Sequence, residues 1–426
     1  MINSLKINQL FSEAFEFYKE QKLELSKKKY EEIIKLDPLN LQSYNNLGLI
    51  HKQIGNFDEA IKLFNRAIKI DSSYQNAYNN LGIVYLEKGN FFNAIDNFTK
   101  LISINSNQFA AYCNLGLCYE KINETEKAIH AYNMVPHIDK NYLNAQYNLG
   151  LLYFKIKQYK KTIKIFKDIN FKKSQSYLLK SLYELNDKEK LSKKLDIEIE
   201  NKNINALNGS IVYLSKNKFG IRKKNLFCEN PLDFIQKINL NEICDFKDLF
   251  VKTINTIIES DEFKINPQPL LVNGTQSANN IFFNKNNNIP KIKNIIDSEI
   301  QNYYKKFLSS EEGFLKYWPK NYFLDGWMVK MKSGGNIKPH IHEHGWLSGS
   351  IYINVPKKTD LNSGNLVVSL DDKKKEDLEN SQNSNFKIIN VKTGTLCLFP
   401  ASLFHYTIPF KSDEDRIVLA FDVIAN

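Results

Sequence analysis

The chain has 426 residues, of which 42% are hydrophobic and 25% charged, and its formal net charge is +11. That length allows two or three domains with real cores, and the composition excludes disordered, collagenous and disulfide-framed classes. The basic excess is spread over scattered lysines with no recognised binding module, so nucleic acid is not the expected partner.

The opening residues, Met1 to Asn8, lack a continuous apolar segment, and no run is long enough to cross a bilayer. Neither a secretory leader nor a membrane span is therefore expected. The five cysteines include no C-x-x-C pair. An odd count argues against a disulfide framework and for a reducing, cytoplasmic setting.

Gly48, Gly82, Gly116 and Gly150 follow one another at intervals of 34 residues, each closing an Asn-Leu-Gly triplet. Further along each copy stand Ala60, Ala94, Ala128 and Thr162, then Phe64, Phe98, Tyr132 and Phe166. This pattern resembles the tetratricopeptide repeat, a helix–turn–helix unit of that length. Small residues let two helices approach closely, and the aromatic is expected to fill the groove between one repeat and the next. Ala14, Ser26 and Tyr30 mark an earlier copy, and residues 174–190 a shortened later one. Gly55-Asn56, Gly89-Asn90 and Asn123-Glu124 read as tight turns. Arrays of this kind curve around a concave groove, so the resemblance implies a protein or peptide partner. Tyr44, Tyr78 and Tyr112 read as packing within each repeat, and Asn46, Asn80 and Asn114 as facing the groove. His51, His130 and His137 share no register and read as ordinary core or surface residues.

Beyond the repeats the sequence turns charged and loses the register, with one capping helix expected over 204–214. The expected organisation is a helical solenoid over residues 1–190, a helical cap or linker over 191–224, and a second domain over 225–426. In that last part, apolar spacing predicts helices over 245–259 and 290–307, which would buttress one face of a sheet. Residues 322–331 alternate, with Trp327, Val329 and Met331 on one face. Ser333-Gly334-Gly335 reads as a turn leading into a strand that carries the histidines. Residues 350–355 alternate again and set Tyr352 and Asn354 toward a wet cavity. Residues 371–384 are charged and read as a mobile loop or lid. In the last strand Arg416, Val418, Ala420 and Asp422 share one face, and Ile417, Leu419, Phe421 and Val423 the other.

Three of the seven histidines, His340, His342 and His344, fall within five residues, and His405 follows on a distant segment. Strand spacing sends His340 and His342 to one face. With His405 they form three ligands on one side of a metal, an open-faced set that suits non-haem Fe(II). Glu343 is the alternative second ligand; its chemistry suits the metal, but it reaches that face only through a bulge. Arginine occurs only at Arg66, Arg222 and Arg416 in a chain that otherwise uses lysine. Arg416 therefore suggests a need for a guanidinium fork that grips a carboxylate.

With Trp346-Leu347-Ser348-Gly349 and the segment from Phe399 to His405, these residues make 225–426 resemble the 2-oxoglutarate/Fe(II)-dependent oxygenase superfamily. The resemblance implies a double-stranded β-helix, or jelly roll, with Fe(II) as cofactor and 2-oxoglutarate as co-substrate. The family pattern is His-x-Asp/Glu, a distal His, and an Arg or Lys some ten residues later. His340, His405 and Arg416 match it, and His342 stands where the carboxylate would be. The expected metal ligands are His340, His342 and His405, with Arg416 and Tyr352 as cofactor contacts. The fold class expected is multidomain α + β, an N-terminal α-solenoid followed by a jelly roll with flanking helices. The expected function is a dioxygenase that hydroxylates a protein or peptide recruited by the repeats. A metal-dependent jelly-roll enzyme without 2-oxoglutarate and a non-catalytic repeat adaptor are the alternatives.

Overall fold

The computed structural model describes residues 2–260, 263, 265–266, 268–373 and 385–425. The chain separates after Ser181 into two compact units, Met1–Ser181 and Leu182–Asn426.

The first unit is built of helix pairs. Leu41–Gln53 pairs with Phe57–Ile70, Gln75–Glu87 with Phe91–Ile104, Phe109–Lys121 with Thr125–Asn133, and Tyr142–Lys155 with Tyr159–Phe166. An earlier pair, Ile2–Lys19 and Leu23–Leu36, stands where the degenerate copy was expected. The turns between partners need a left-handed residue, supplied by Gly55, Gly89, Asn123 and Lys157. A Cβ on Gly48, Gly82, Gly116 or Gly150 would come within 2.6, 2.7, 2.6 or 2.2 Å of the ring of Phe64, Phe98, Tyr132 or Phe166. Each aromatic therefore lies directly on its own repeat's glycine. It also reaches the next repeat: Phe64 shares a cluster with Ala77, Leu81 and Val84. Where alanine is replaced in the pattern, the polar atom is satisfied locally. Ser26 Oγ donates to the Ala14 carbonyl at 2.7 Å, and Thr162 Oγ1 to that of Gly150 at 3.2 Å. Tyr78 and Tyr112 are buried, as packing residues should be. Asn46 and Asn80, expected to face the groove, are half-buried and bind the preceding repeat. Their side-chain amides donate to the Tyr30 hydroxyl at 3.1 Å and to Asn45 Oδ1 at 2.9 Å.

In the second unit the helix Ala206–Phe219 lies against the segment that leads into the sheets. Tyr213 donates its hydroxyl proton to the Glu229 carbonyl at 2.7 Å, and Asn225 Nδ2 donates to that of Gly209 at 3.0 Å. Residues 191–224, expected as a bridge, thus fall within this unit.

Among the described residues ten strands follow: β1 (Gln236–Asn239), β2 (Ile265–Asn266), β3 (Leu271–Ser277), β4 (Tyr322–Ile337), β5 (Leu347–Asn354), β6 (Leu366–Ser369), β7 (Phe386–Ile389), β8 (Thr395–Pro400), β9 (Phe404–Thr407) and β10 (Arg416–Ala425). They form two antiparallel sheets, one ordered β1-β8-β5-β10-β4-β3-β2 and the other β7-β6-β9. Tyr352, Phe399 and Val418 of the large sheet pack with Leu366, Val368 and Ile389 of the small one, so the sheets face each other. The large sheet's other face, with Ile351, Leu398 and Leu419, packs on Ile292, Ile296 and Ile300 of the helix Ile289–Lys306. That burial explains the near-continuous apolar character of β5, β8 and β10. The helix expected over 245–259 is divided into a π-helix, Lys247–Lys252, and an α-helix, Thr253–Ile258. No helix among the described residues is long and apolar enough to cross a membrane.

Two local expectations are corrected. Ser333-Gly334-Gly335 does not end the strand: β4 runs through it to Ile337. Gly334 takes a left-handed φ of 77°, and the β3 register shifts between Val272 and Gly274. The histidine segment is not a strand either. Pro339 has no N–H to give a ladder, and only His340 makes a bridge, to His405. The chain then turns, closed by Gly345 N–H donating to the His342 carbonyl at 3.0 Å. Of the loop expected over 371–384, residues 374–384 lie outside the described residues.

Candidate metal centre

The cavity between the sheets is lined by Trp327, Val329 and Met331 of β4, Tyr352 of β5, and Arg416 and Val418 of β10. Strand alternation puts those residues inward together, as their spacing predicts. His340, His342 and His405 also line it.

The three histidines come together although their segments are far apart in sequence. His340 and His405 exchange backbone hydrogen bonds at 3.2 and 2.9 Å, which sets their rings side by side. Ring centroids are 4.3 Å apart for His340 and His405, 4.5 Å for His342 and His405, and 5.2 Å for His340 and His342. One nitrogen from each ring lies within 4.8 Å of the others, a spacing that could hold a metal ion. Glu343 and His344 are outside this group; His344 is exposed at the turn.

Each ring is held by its Nδ1. His340 Nδ1 meets the Lys338 carbonyl at 2.9 Å, and His405 Nδ1 that of Leu403 at 3.3 Å. His342 Nδ1 meets Asp422 Oδ1 at 2.6 Å and Ser348 Oγ at 3.1 Å. A carbonyl or carboxylate only accepts, so Nδ1 of each ring carries a proton and Nε2 is the nitrogen available as a ligand atom. Burial, and secondarily the neighbouring His342, brings the His340 pKa down to about 4. Burial and then His340 push that of His405 well below the usual histidine range. Both rings are therefore neutral, the form that binds metals. Trp327 stands edge-on to His342, with ring centroids 5.1 Å apart.

Arg416 is 2% exposed. Its guanidinium carbon lies 5.0 Å from the centre of the Tyr352 ring, and Nη1 lies 3.9 Å from Met331 Sδ. Its Nε has no hydrogen-bond partner, and no carboxylate among the described residues pairs with it. A buried cation without an anion is costly, so the arrangement suits an acidic ligand. Burial also holds the Tyr352 hydroxyl well above the usual phenol range, so it stays a neutral hydrogen-bonding group.

The five residues expected as metal ligands or cofactor contacts line one cavity, whereas Glu343, the alternative ligand, and Asn354, expected toward the cavity, are not among its lining. Asp422 and Ser348 were not singled out. The available signal was the position of Asp422 on the inward register of β10, where an unexplained carboxylate stands among apolar neighbours.

Residues 325–422 match the family model described as "Putative 2OG-Fe(II) oxygenase". Tetratricopeptide-repeat models match residues 29–62, 52–89, 75–108 and 109–133. None of the curated proteins matches the chain. Similar solved structures include MamA from Desulfovibrio magneticus RS-1, 17% identical, covering 38% of this chain and 92% of that one with a TM-score of 0.36. A tetratricopeptide repeat protein from Parabacteroides merdae is 15% identical, covering 50% and 86%, with a TM-score of 0.41. YrrB, described as a TPR protein with an unusual peptide-binding site, is 18% identical, covering 39% and 90%, with a TM-score of 0.34.

Proposed function

We propose that this fusion of tetratricopeptide repeats with a 2-oxoglutarate/Fe(II) oxygenase-family domain is a dioxygenase that hydroxylates a protein or peptide held by the repeats. The observation that carries this reading is one cavity containing both three convergent imidazoles and a buried arginine without a carboxylate partner among the described residues. In it, His340, His342 and His405 would hold Fe(II). Arg416 would supply the guanidinium that holds the distal carboxylate of 2-oxoglutarate. Tyr352 packs against the guanidinium and fixes its plane. Three neutral ligands leave the ion its full charge, which favours a dianionic keto acid. When bound, Fe(II) and 2-oxoglutarate supply oxygen activation coupled to decarboxylation of the keto acid to succinate. The apolar lining from Trp327, Val329 and Met331 excludes water from that chemistry. The repeat array of residues 1–190 supplies the surface that recruits the substrate.

The test is iron content by elemental analysis together with succinate formation from 2-oxoglutarate. One iron per chain and succinate production are expected. His340→Ala and His405→Ala should each lose the iron while keeping the helical circular-dichroism signal. Full iron retention in both variants contradicts the site. Iron without succinate points to a metal enzyme that does not use 2-oxoglutarate, and no iron to a non-catalytic adaptor.

A further inference from the structure

The second position of the histidine motif is where the oxygenase pattern has a carboxylate, and here it is His342. A carboxylate is nevertheless present one hydrogen bond behind that ring. Asp422 Oδ1 lies 2.6 Å from His342 Nδ1 and 2.8 Å from Ser348 Oγ. Ser348 on β5 is the direct cross-strand partner of Asp422 on β10, so the contact is built into the sheet register. Asp422 is 6% exposed, and its one ion-pair partner among the described residues is His342. A Cβ on Gly345 would come within 3.0 Å of Asp422 Oδ1, so glycine there leaves the carboxylate its space. On β4 the register partner of Asp422 is Asp325, a second carboxyl group. Burial and then Asp422 raise the Asp325 pKa.

Among the described residues, the buried Asp422 carboxyl group is paired with no lysine or arginine. The buried Arg416, paired with no acid among the same residues, lies six residues and roughly 20 Å along the same strand. Neither can neutralise the other at that distance. Asp422 is held by His342 and Ser348, whereas Arg416 meets no carboxylate among the described residues.

We propose that Asp422 is a positioning residue for the metal, acting through His342. It accepts a hydrogen bond from Nδ1–H, aims Nε2 into the cavity and makes the imidazole a more basic ligand. Ser348 holds the carboxylate in line by donating to the same oxygen. Outer partners of this kind typically change metal affinity 10–100-fold. The inference rests on the metal reading above.

The experiment compares full-length wild type with Asp422→Asn, using Co(II) as the probe in equilibrium dialysis. The variant keeps the side chain's shape and removes its charge. A fall in Co(II) affinity of about 10–100-fold is expected, with an unchanged melting temperature for the metal-free protein. Equal affinity in both proteins overturns the role of Asp422 and leaves the metal site standing. No uptake by wild type overturns the metal reading and this inference with it. If Asp422→Asn fails to fold, Ser348→Ala in the same dialysis decides the matter: a fall in Co(II) affinity is expected, and affinity equal to wild type overturns the inference.

Discussion

His342 and Glu343 are adjacent candidates for one ligand position, and the backbone separates them. His342 lines the cavity, with its Nδ1 held by Asp422 and Ser348. Glu343 enters the turn that Gly345 closes and is outside the histidine group. His342→Ala should therefore lose bound iron after desalting, and Glu343→Ala should keep it near one per chain. The reverse result would make Glu343 the ligand and His342 a bystander. At this scale the sequence was informative where a residue was unusual for its surroundings. Arg416 stood out in a lysine-rich chain and on an alternating strand. The partnership of Asp422 with His342 was hidden, because it depends on β10 lying beside β5 with Ser348 opposite.

The repeat is an element whose logic is local. Glycine and aromatic are sixteen residues apart in each copy, and they touch within that copy. Such contacts leave a period in the sequence, and the helix pairs were legible for that reason. Tyr132 is fully buried and its hydroxyl donates to Glu120 Oε1 at 2.6 Å, so its ring has little freedom to yield to a side chain at Gly116. Gly116→Val should cost about 1–3 kcal/mol by overpacking. For a unit of this size that is a melting-temperature drop of roughly 2–4 °C per kcal/mol, readable by circular dichroism at 222 nm. An unchanged melting temperature would show that the ring moves aside freely. Elements set by distant pairing were read less well. The glycine pair at Gly334-Gly335 looks like a turn, but hydrogen bonds from β3 carry β4 through it to Ile337. The H-x-H segment looks like a strand, yet Pro339 and the turn at Glu343-His344 leave one bridge, at His340. The two histidines still converge, because that bridge ties His340 to His405 and Asp422 holds His342.

In the whole molecule, an array read from its period precedes a pair of facing sheets read from alternation and a handful of polar residues. The place of residues 191–224 was not legible, since a charged helix such as Lys188–Glu200 shows in sequence no sign of the surface that covers its buried Leu191 and Leu195. On the proposed reading, the cavity between the sheets would bind Fe(II) through its histidines and 2-oxoglutarate with the help of Arg416. The direct measurement is anaerobic titration of the full-length Fe(II) protein with 2-oxoglutarate, followed by the keto acid–iron charge-transfer absorbance. Losing a shielded bidentate pair costs on the order of 2–5 kcal/mol. Arg416→Ala should therefore keep its iron and bind 2-oxoglutarate weaker by about two orders of magnitude or more. Arg416→Lys, which keeps the charge and loses the fork, should fall between. If wild type and Arg416→Ala titrate alike, 2-oxoglutarate is not held at Arg416 and the account is contradicted.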